Sequence, residues 1–331
     1  MHRTVGGTQK IGGVFVQDLI EVTPKLQMTV SARMDRWHNY HAHNHEITIA
    51  TQVPTANNKE LPDKSDHATS PRIAALYRVT DRVSVWGSFS KGFRAPTLKE
   101  LYSQFRVGAV LTLANENLDP ERLTGGEAGI SVAPTKNLTV RGTWFENRVH
   151  HAIFNVTTAA NGNTRQVKNL PATNIAGFQT DVAYRLNTFW SVSGAYVFDV
   201  AKVHEALPDA QGTNITGKYL AEVPKHRGSL QVSFNHPRYA NVAVEMQFVG
   251  MQFDDDQNIA AILPNVPGKT QVGLPAYSVT DLSVLRAINS SVDIFVGAQN
   301  LFGKRYYVGT NPTTIGTPRL VNAGIRLRVG R

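Results

Sequence analysis

Apolar and polar side chains alternate with a period of two along most of this 331-residue chain. In residues 24–37, every second position from Leu26 to Met34 is apolar, and the positions between them are polar. Successive side chains of an extended strand point to opposite faces, so this stretch predicts a strand with one apolar and one polar face. Similar stretches recur as far as residue 329. They give about thirteen predicted strands, most of which reach the roughly 9–11 residues that a tilted strand needs to cross a bilayer.

The connections between the predicted strands alternate between short and long. Short turns are predicted at 23–25, 79–82, 134–137, 187–188, 235–240 and 287–290, and long polar stretches at 38–68, 91–123, 150–175, 200–224, 250–275 and 303–317. Tight periplasmic turns and long outside loops are typical of outer-membrane barrels, whereas the connections of a soluble sandwich need not sort by length. The pattern therefore favours an all-β fold, an antiparallel transmembrane β-barrel.

Composition narrows the classes of function. The chain has no cysteine, which excludes disulfides, thiolate metal sites and cysteine nucleophiles. Its formal net charge of +9 suits a phosphate-bearing partner, and its Lys and Arg residues are scattered singly, which favours lipid headgroups over nucleic acid. No serine-histidine-acid arrangement, phosphate-binding glycine loop or metalloenzyme spacing stands out, so we expect no enzyme.

Four stretches resemble a known family. GFRAPTLKELY (92–102) and NENLDPE (115–121), followed by GEAG (126–129), resemble the FRAP and NPNL boxes of TonB-dependent outer-membrane receptors, with Glu116 in place of the usual proline. GVFVQDL with VSARMDRW resembles the paired mid-barrel strands of that family, and VGAQNLFGKRYY with PRLVNAGIRLRV resembles its closing strands. The resemblance covers essentially the whole chain, and the stretches occur in the family's order.

The resemblance implies a receptor in the bacterial cell outer membrane. Such receptors have about 22 strands around a plugged lumen, bind ferric siderophores, cobalamin or haem in their outer loops, and are driven by the TonB energy-transducing complex through the plug. With about thirteen strands and no plug, we expect residues 1–331 to be the C-terminal portion of the barrel domain, from a truncated, split or partial gene. The expected partners are outer-membrane lipid, the TonB complex through the missing plug, and a small-molecule metal chelate.

Two other interpretations stay open beside the receptor. One is an unassembled pseudogene remnant, and the other is a secreted all-β carbohydrate-binding module. In haem-uptake members of the family, a histidine between the two boxes is an iron ligand, and the corresponding stretch TLKELYSQFRVGAVLTLA has none. The resemblance therefore favours a ferric siderophore or cobalamin over haem.

Phe93, Arg94 and Tyr102 are candidate ligand contacts, because they lie where a predicted strand runs out into a long outer loop. The alternative is structural: Pro96 ends the strand pairing and Arg94 faces the wet lumen. HNYHAHNH (38–45) also begins a predicted outer loop. In an extended segment its residues His41, His43 and His45 would point the same way and could bind a metal or a metal-bearing ligand.

Other charged residues suggest two further surfaces. Asp254, Asp255 and Asp256 form an acidic run in an outer loop, where carboxylates could bind calcium or could simply be solvated. The parity of the predicted strands places another set of charged residues on the lumen side, where they would face a plug: Arg33, Asp35, Asp181, Arg185, Glu245, Asp281, Asp293, Arg326 and Arg328.

Overall fold

The computed structural model of the chain describes residues 2–56, 58–159, 162–208, 212–262, 271–310 and 313–328. Short parts of the predicted long connections, and residues 329–331, lie outside these ranges. The elements are, in chain order, β1 (His2–Thr23), β2 (Leu26–Ile47), β3 (Lys59–Leu61), β4 (Lys64–Thr80), β5 (Val83–Arg94), α1 (Leu98–Tyr102), β6 (Phe105–Val107), β7 (Val110–Leu113), β8 (Glu121–Thr135), β9 (Leu138–Thr157), β10 (Thr164–Arg185), β11 (Trp190–Glu205), β12 (His226–Asn235), β13 (Asn241–Val249), β14 (Ala261–Ile262), β15 (Gln271–Val272), β16 (Tyr277–Ala287), β17 (Val292–Gln299), β18 (Tyr307–Thr310), β19 (Thr313–Ile315) and β20 (Leu320–Leu327).

Thirteen of the strands form one continuous antiparallel ladder. Its order is β1-β2-β4-β5-β8-β9-β10-β11-β12-β13-β16-β17-β20, so every strand pairs with the next long strand along the chain. Among the described residues the ladder is open, since β1 and β20 each have a neighbour on one side only. The predicted all-β class and the number of long strands are confirmed.

The connections sort by length as the sequence predicts. Short turns join the strands at one end of the sheet. The long connections lie at the opposite end of the strands, which we call the mouth. Two predicted long connections are shorter than expected, because the strands beside them continue: 38–68 reduces to 48–63, and 150–175 reduces to 158–163. β2 and β10 have 22 residues each, about 70 Å of extended chain, whereas the hydrocarbon core of a bilayer is about 30 Å thick.

The two faces of the sheet differ as the alternation predicts. One face, here called the outer face, carries exposed apolar side chains such as Met34, Phe89 and Trp144 along neighbouring strands. The opposite, inner face is polar, and one of its hollows, of about 540 Å³, is lined by residues such as Arg141, Asp181 and Glu245. No helix of the described residues has the length and apolar character needed to cross a membrane.

The charged residues predicted for the lumen share the inner face, and five of them form ion pairs with one another. Arg33 Nη2 lies 2.6 Å from Asp35 Oδ1 on the same strand. Asp293 is fully buried and binds Arg328, which directly follows the neighbouring strand β20, with Arg326 of β20 at 4.0 Å. The inner wall therefore carries paired charges.

Buried apolar side chains are concentrated near the mouth, on the inner face. One cluster joins Ala42 of β2 to Leu101 and Tyr102 of α1 and to Leu118. A second joins β9, β10 and β11 to Ile215 and Leu220 of the connection that follows β11. The long connections therefore fold inward and pack over the end of the sheet.

Candidate ligand-binding site at the mouth of the sheet

Arg94 joins the two box stretches. Strand β5, which carries Phe93, pairs with β8 as far as Arg94, and Arg94 lies opposite Glu121. Pro96 then ends the pairing, because it has no N–H to donate. Arg94 Nε donates to Glu121 Oε2 at 2.6 Å, and Nη1 donates to both carboxylate oxygens of Glu100 at 3.0 Å. Both partners are carboxylates, so the guanidinium is already engaged in charge-assisted hydrogen bonds.

The short helix α1 is fixed by its own sequence. Thr97 is its N-cap: the side chain accepts a hydrogen bond from Glu100 N, and Glu100 Oε2 accepts one from Thr97 N at 2.7 Å. This reciprocal capping box satisfies two backbone donors at the start of the helix. Because Arg94 also holds Glu100, the helix is locked to the end of β5.

Tyr102 lies in the buried cluster under this helix. Its side chain packs with Leu101, Leu118 and Ala42, and only 5% of its surface is exposed. Burial raises the pKa of its phenol above the ordinary value. Tyr102 therefore belongs to the buried cluster and exposes little surface of its own.

The second box is held by polar contacts from two strands, β3 and β10. Glu116, which stands where the family usually has proline, receives a hydrogen bond from Lys59 Nζ of β3 at 2.9 Å. Asn169 of β10 donates to the carbonyl of Asp119 at 2.9 Å and accepts from its N–H at 2.8 Å. The substitution of proline thus has a local explanation, because the glutamate pairs with a lysine of the neighbouring hairpin.

A pocket of about 340 Å³ lies between the boxes and the mouth ends of β1 and β2. Its floor is apolar, and its polar lining carries opposite charges and several amides: Arg3, Asn44, Lys59, Gln104, Asn115, Glu116, Asn117 and Gln166. Such a mixture can hydrogen-bond the oxygen and nitrogen atoms of a polar ligand.

The histidines lie in strand β2, where the sequence predicted a loop. His41 has a φ of +53°, and the register with β1 shifts between Gly6 and Thr8, so a bulge interrupts the alternation there. His41 packs edge-on against Tyr40, whereas His43 and His45 stack with ring centroids 4.7 Å apart. The bulge separates the expected set of three into one histidine and a pair.

The stacked pair lies on the outer face, away from the pocket. Its neighbours Ala42, Asn44 and Glu46 are buried on the inner face, so the alternation places the imidazoles of His43 and His45 outside. His45 Nε2 lies 2.7 Å from Glu60 Oε1. Among the described residues, no group of three or more His, Cys, Asp or Glu side chains could hold a metal ion.

The three consecutive aspartates point to three different partners. Asp254 accepts hydrogen bonds from Thr310, with its N–H at 2.7 Å. Asp256 accepts from the N–H of Thr157 at 2.9 Å. Asp255 is buried and accepts from the N–H groups of residues 257, 259 and 260. The carboxylates therefore hold the connection after β13 to the rest of the mouth.

Sequence reasoning missed the residues that hold the site together. Glu121 binds Arg94 and also accepts from Ile153 N at 2.7 Å, yet nothing in the sequence links positions this far apart. The capping box Thr97-x-x-Glu100 was visible in the sequence, since threonine followed three residues later by glutamate is a signal for the start of a helix.

A family model described as "TonB dependent receptor-like, beta-barrel" matches residues 3–301. The chain belongs to this family. TonB-dependent receptors are outer-membrane β-barrels, and they are transporters rather than enzymes. The resemblance stated from the box stretches is therefore confirmed, and this TonB-dependent receptor chain is placed in the bacterial outer membrane.

Relatives of this TonB-dependent receptor chain are longer than it is. The metal-pseudopaline receptor CntO of Pseudomonas aeruginosa is 26% identical over 299 residues, which are 88% of this chain and 37% of the relative. The TonB-dependent heme receptor A of Haemophilus influenzae is 27% identical over 290 residues, 78% of this chain and 37% of the relative. The chain thus spans little more than a third of the length of these relatives.

Solved structures of TonB-dependent receptors have the same fold. The copper transporter OprC matches with a TM-score of 0.75 at 16% identity, over 96% of this chain and 48% of that one. The siderophore receptor PiuA from Acinetobacter baumannii matches with a TM-score of 0.74 at 16% identity, over 97% of this chain and 43% of that one.

Proposed function

We propose that this chain forms the C-terminal wall and part of the mouth of an outer-membrane receptor that takes up a small metal chelate. The observation that carries the proposal is the polar pocket beside the two boxes, on the inner face and at the end of the sheet where the long connections lie. A ligand held there would sit above the polar wall of the lumen.

The open edges support a longer assembly. In a bilayer, each unpaired backbone group that faces lipid costs several kcal/mol, so a sheet with two open edges is unstable alone. Additional strands would pair with β1 and β20 and close the barrel. A plug in that barrel would face the paired charges of the inner wall and would connect the receptor to the TonB complex.

The class of ligand follows from the pocket. Amides and opposite charges suit the oxygen-rich surface of a metal chelate, and the relatives include receptors described for metal-pseudopaline and for siderophores. A haem receptor is also among them, but no histidine occurs in residues 97–114, between the boxes. We therefore infer a metal chelate such as a ferric siderophore in preference to haem or cobalamin.

Equilibrium binding to the receptor that contains this chain, purified in detergent, tests the proposal. The probes are ferric complexes of a catecholate, a hydroxamate and an aminopolycarboxylate, with haemin and cyanocobalamin as competing classes. We expect saturable binding of at least one ferric complex and roughly ten- to a hundredfold weaker binding in Lys59→Ala, since a hydrogen bond to a charged group contributes about 1.5–3 kcal/mol. Lys136→Ala, at an exposed short turn, is the matched control.

Binding of haemin or cyanocobalamin without binding of any ferric complex would replace the proposed ligand class. If the Lys59→Ala and Lys136→Ala receptors bind the ferric complex with equal affinity, the pocket lined by Lys59 is not the binding site.

A further inference from the structure

A pair of lysines surrounds one tyrosine on the outer face, near the mouth. Lys202 Nζ lies 4.7 Å and Lys225 Nζ lies 4.2 Å from the ring centroid of Tyr219. Tyr219 also stacks on Phe253, at 5.8 Å between centroids. Two ammonium groups therefore converge on one aromatic ring.

The strand geometry places this cluster on the lipid-facing side of the wall. Lys202 and Tyr219 form an antiparallel bridge, so their side chains share a face. Their neighbours Ala201, Val203 and Leu220 are buried on the inner face, which puts Lys202 and Tyr219 outside.

The cluster lies beyond the apolar part of β11. Tyr196 and Phe198 are the exposed aromatic residues of the same parity, and His226 contacts both rings from β12. At about 3.4 Å per residue, Lys202 is roughly 14 Å further along the strand than Phe198. Aromatic residues mark the boundary between hydrocarbon and headgroups in outer-membrane barrels, so the lysines lie at the level of the outer headgroups.

Among the described carboxylates, none neutralises the positive charge of the cluster. Within the part of the chain that the structure describes, no carboxylate ion-pairs with Lys202 or Lys225. The aspartates of the adjacent connection, Asp254–Asp256, are engaged by residues elsewhere. The Lys225 ammonium, by hydrogen bonding to the Tyr219 hydroxyl, lowers the pKa of that phenol; burial opposes this shift, and the charges of both lysines add to it. An anion at this position would meet the same positive potential.

We propose that Lys202, Tyr219 and Lys225 bind a phosphate group of a lipid headgroup in the outer leaflet. Two ammonium donors within about 5 Å of one aromatic ring suit a tetrahedral, multiply charged oxyanion, and basic residues beside a membrane attract anionic lipids. The site is on the face opposite the ligand pocket, so it does not depend on the identity of the transported chelate. Its role is to anchor the wall of the barrel in the headgroup layer.

Lipid binding to the detergent-purified receptor that contains this chain tests the proposal. The probes are lipid A with its phosphates, the same lipid after dephosphorylation, and inorganic phosphate, each followed by the rise in melting temperature that it causes. We expect phosphorylated lipid A to raise the melting temperature. The Lys202→Ala/Lys225→Ala receptor should need a roughly thirtyfold higher lipid concentration for the same rise, because each basic residue contributes about 1 kcal/mol to the attraction of an anionic lipid. Lys25→Ala/Lys136→Ala removes the same charge at exposed short turns and should behave as the unmodified receptor.

Each alternative outcome has a defined meaning. The Lys202→Arg/Lys225→Arg receptor keeps the charge, so retention of lipid binding there supports the site even if the alanine variant folds poorly. An equal response to phosphorylated and dephosphorylated lipid, or an equal loss in the two double-alanine receptors, would overturn the phosphate site. A response to inorganic phosphate as strong as that to lipid A would overturn the lipid as its source.

Discussion

Arg94 and Glu121 face each other across the last rung between β5 and β8, with Arg94 Nε donating to Glu121 Oε2 at 2.6 Å. The pair joins the first box to the start of the strand that follows the second box. Through Glu100 the same guanidinium also holds helix α1. One arginine therefore joins both ends of the 95–120 connection, and we propose that it positions this connection.

Replacing Arg94 by alanine should loosen the 95–120 connection. Glu100 and Glu121 would lose their arginine partner. Because the Arg94 side chain is 42% exposed, we expect the free energy of unfolding to fall by about 1–2 kcal/mol, less than for the loss of a buried pair. Limited proteolysis should show faster cleavage within 95–120 than in Arg238→Ala, whose arginine is exposed in a short turn. Identical cleavage of the two variants would show that the clamp does not hold the connection.

Leu118→Ala should destabilise the mouth more than any surface change. Leu118 is 0% exposed and packs with Leu101 and Tyr102, so its removal leaves a cavity and should cost about 2–5 kcal/mol. Leu207, at 78% exposure, provides the control. Thermal unfolding of the two alanine variants in detergent measures the difference, and a melting temperature in Leu118→Ala as high as in Leu207→Ala would disprove the packed cluster.

Any binding of a divalent transition metal by residues 38–45 should depend on His43 and His45 and not on His41. Their imidazoles stack, while the bulge at His41 turns the backbone away. Titration with zinc chloride should therefore show weaker binding in His43→Ala/His45→Ala and unchanged binding in His41→Ala. An equal loss of zinc binding in both would mean that all three form one site.

Asp255→Ala should unfold the connection after β13 with or without calcium. The carboxylate accepts from several backbone N–H groups, and leaving them unsatisfied should cost about 1–3 kcal/mol. Asp255→Asn keeps one acceptor oxygen and should recover part of the stability. Thermal unfolding in calcium chloride and in chelator separates the two roles that the sequence allowed: a loss seen only with calcium present would assign the aspartates to an ion.

The sequence pattern predicts the strands of the sheet but not the structure at the mouth. The alternation from Leu26 to Met34 predicts a strand, because one face of such a strand meets lipid and the other meets water. The pairing of β2 with β4 confirms this strand. From His38 onward both faces of β2 carry polar residues, so the alternation disappears although the strand continues to Ile47. The bulge at His41 and the contact between Arg94 and Glu121 depend on neighbouring strands, which no local pattern can show.

Energised iron uptake is the most direct test of the proposed receptor. Cells without other iron receptors, displaying the receptor that contains this chain, are given a radiolabelled ferric complex that binds the purified protein, with and without a protonophore. We expect iron to accumulate in energised cells, less in Lys59→Ala and equally in Lys136→Ala, and we expect surface binding alone when the protonophore is present. Accumulation that the protonophore leaves unchanged, or no accumulation by energised cells that bind the complex, would contradict the proposed receptor.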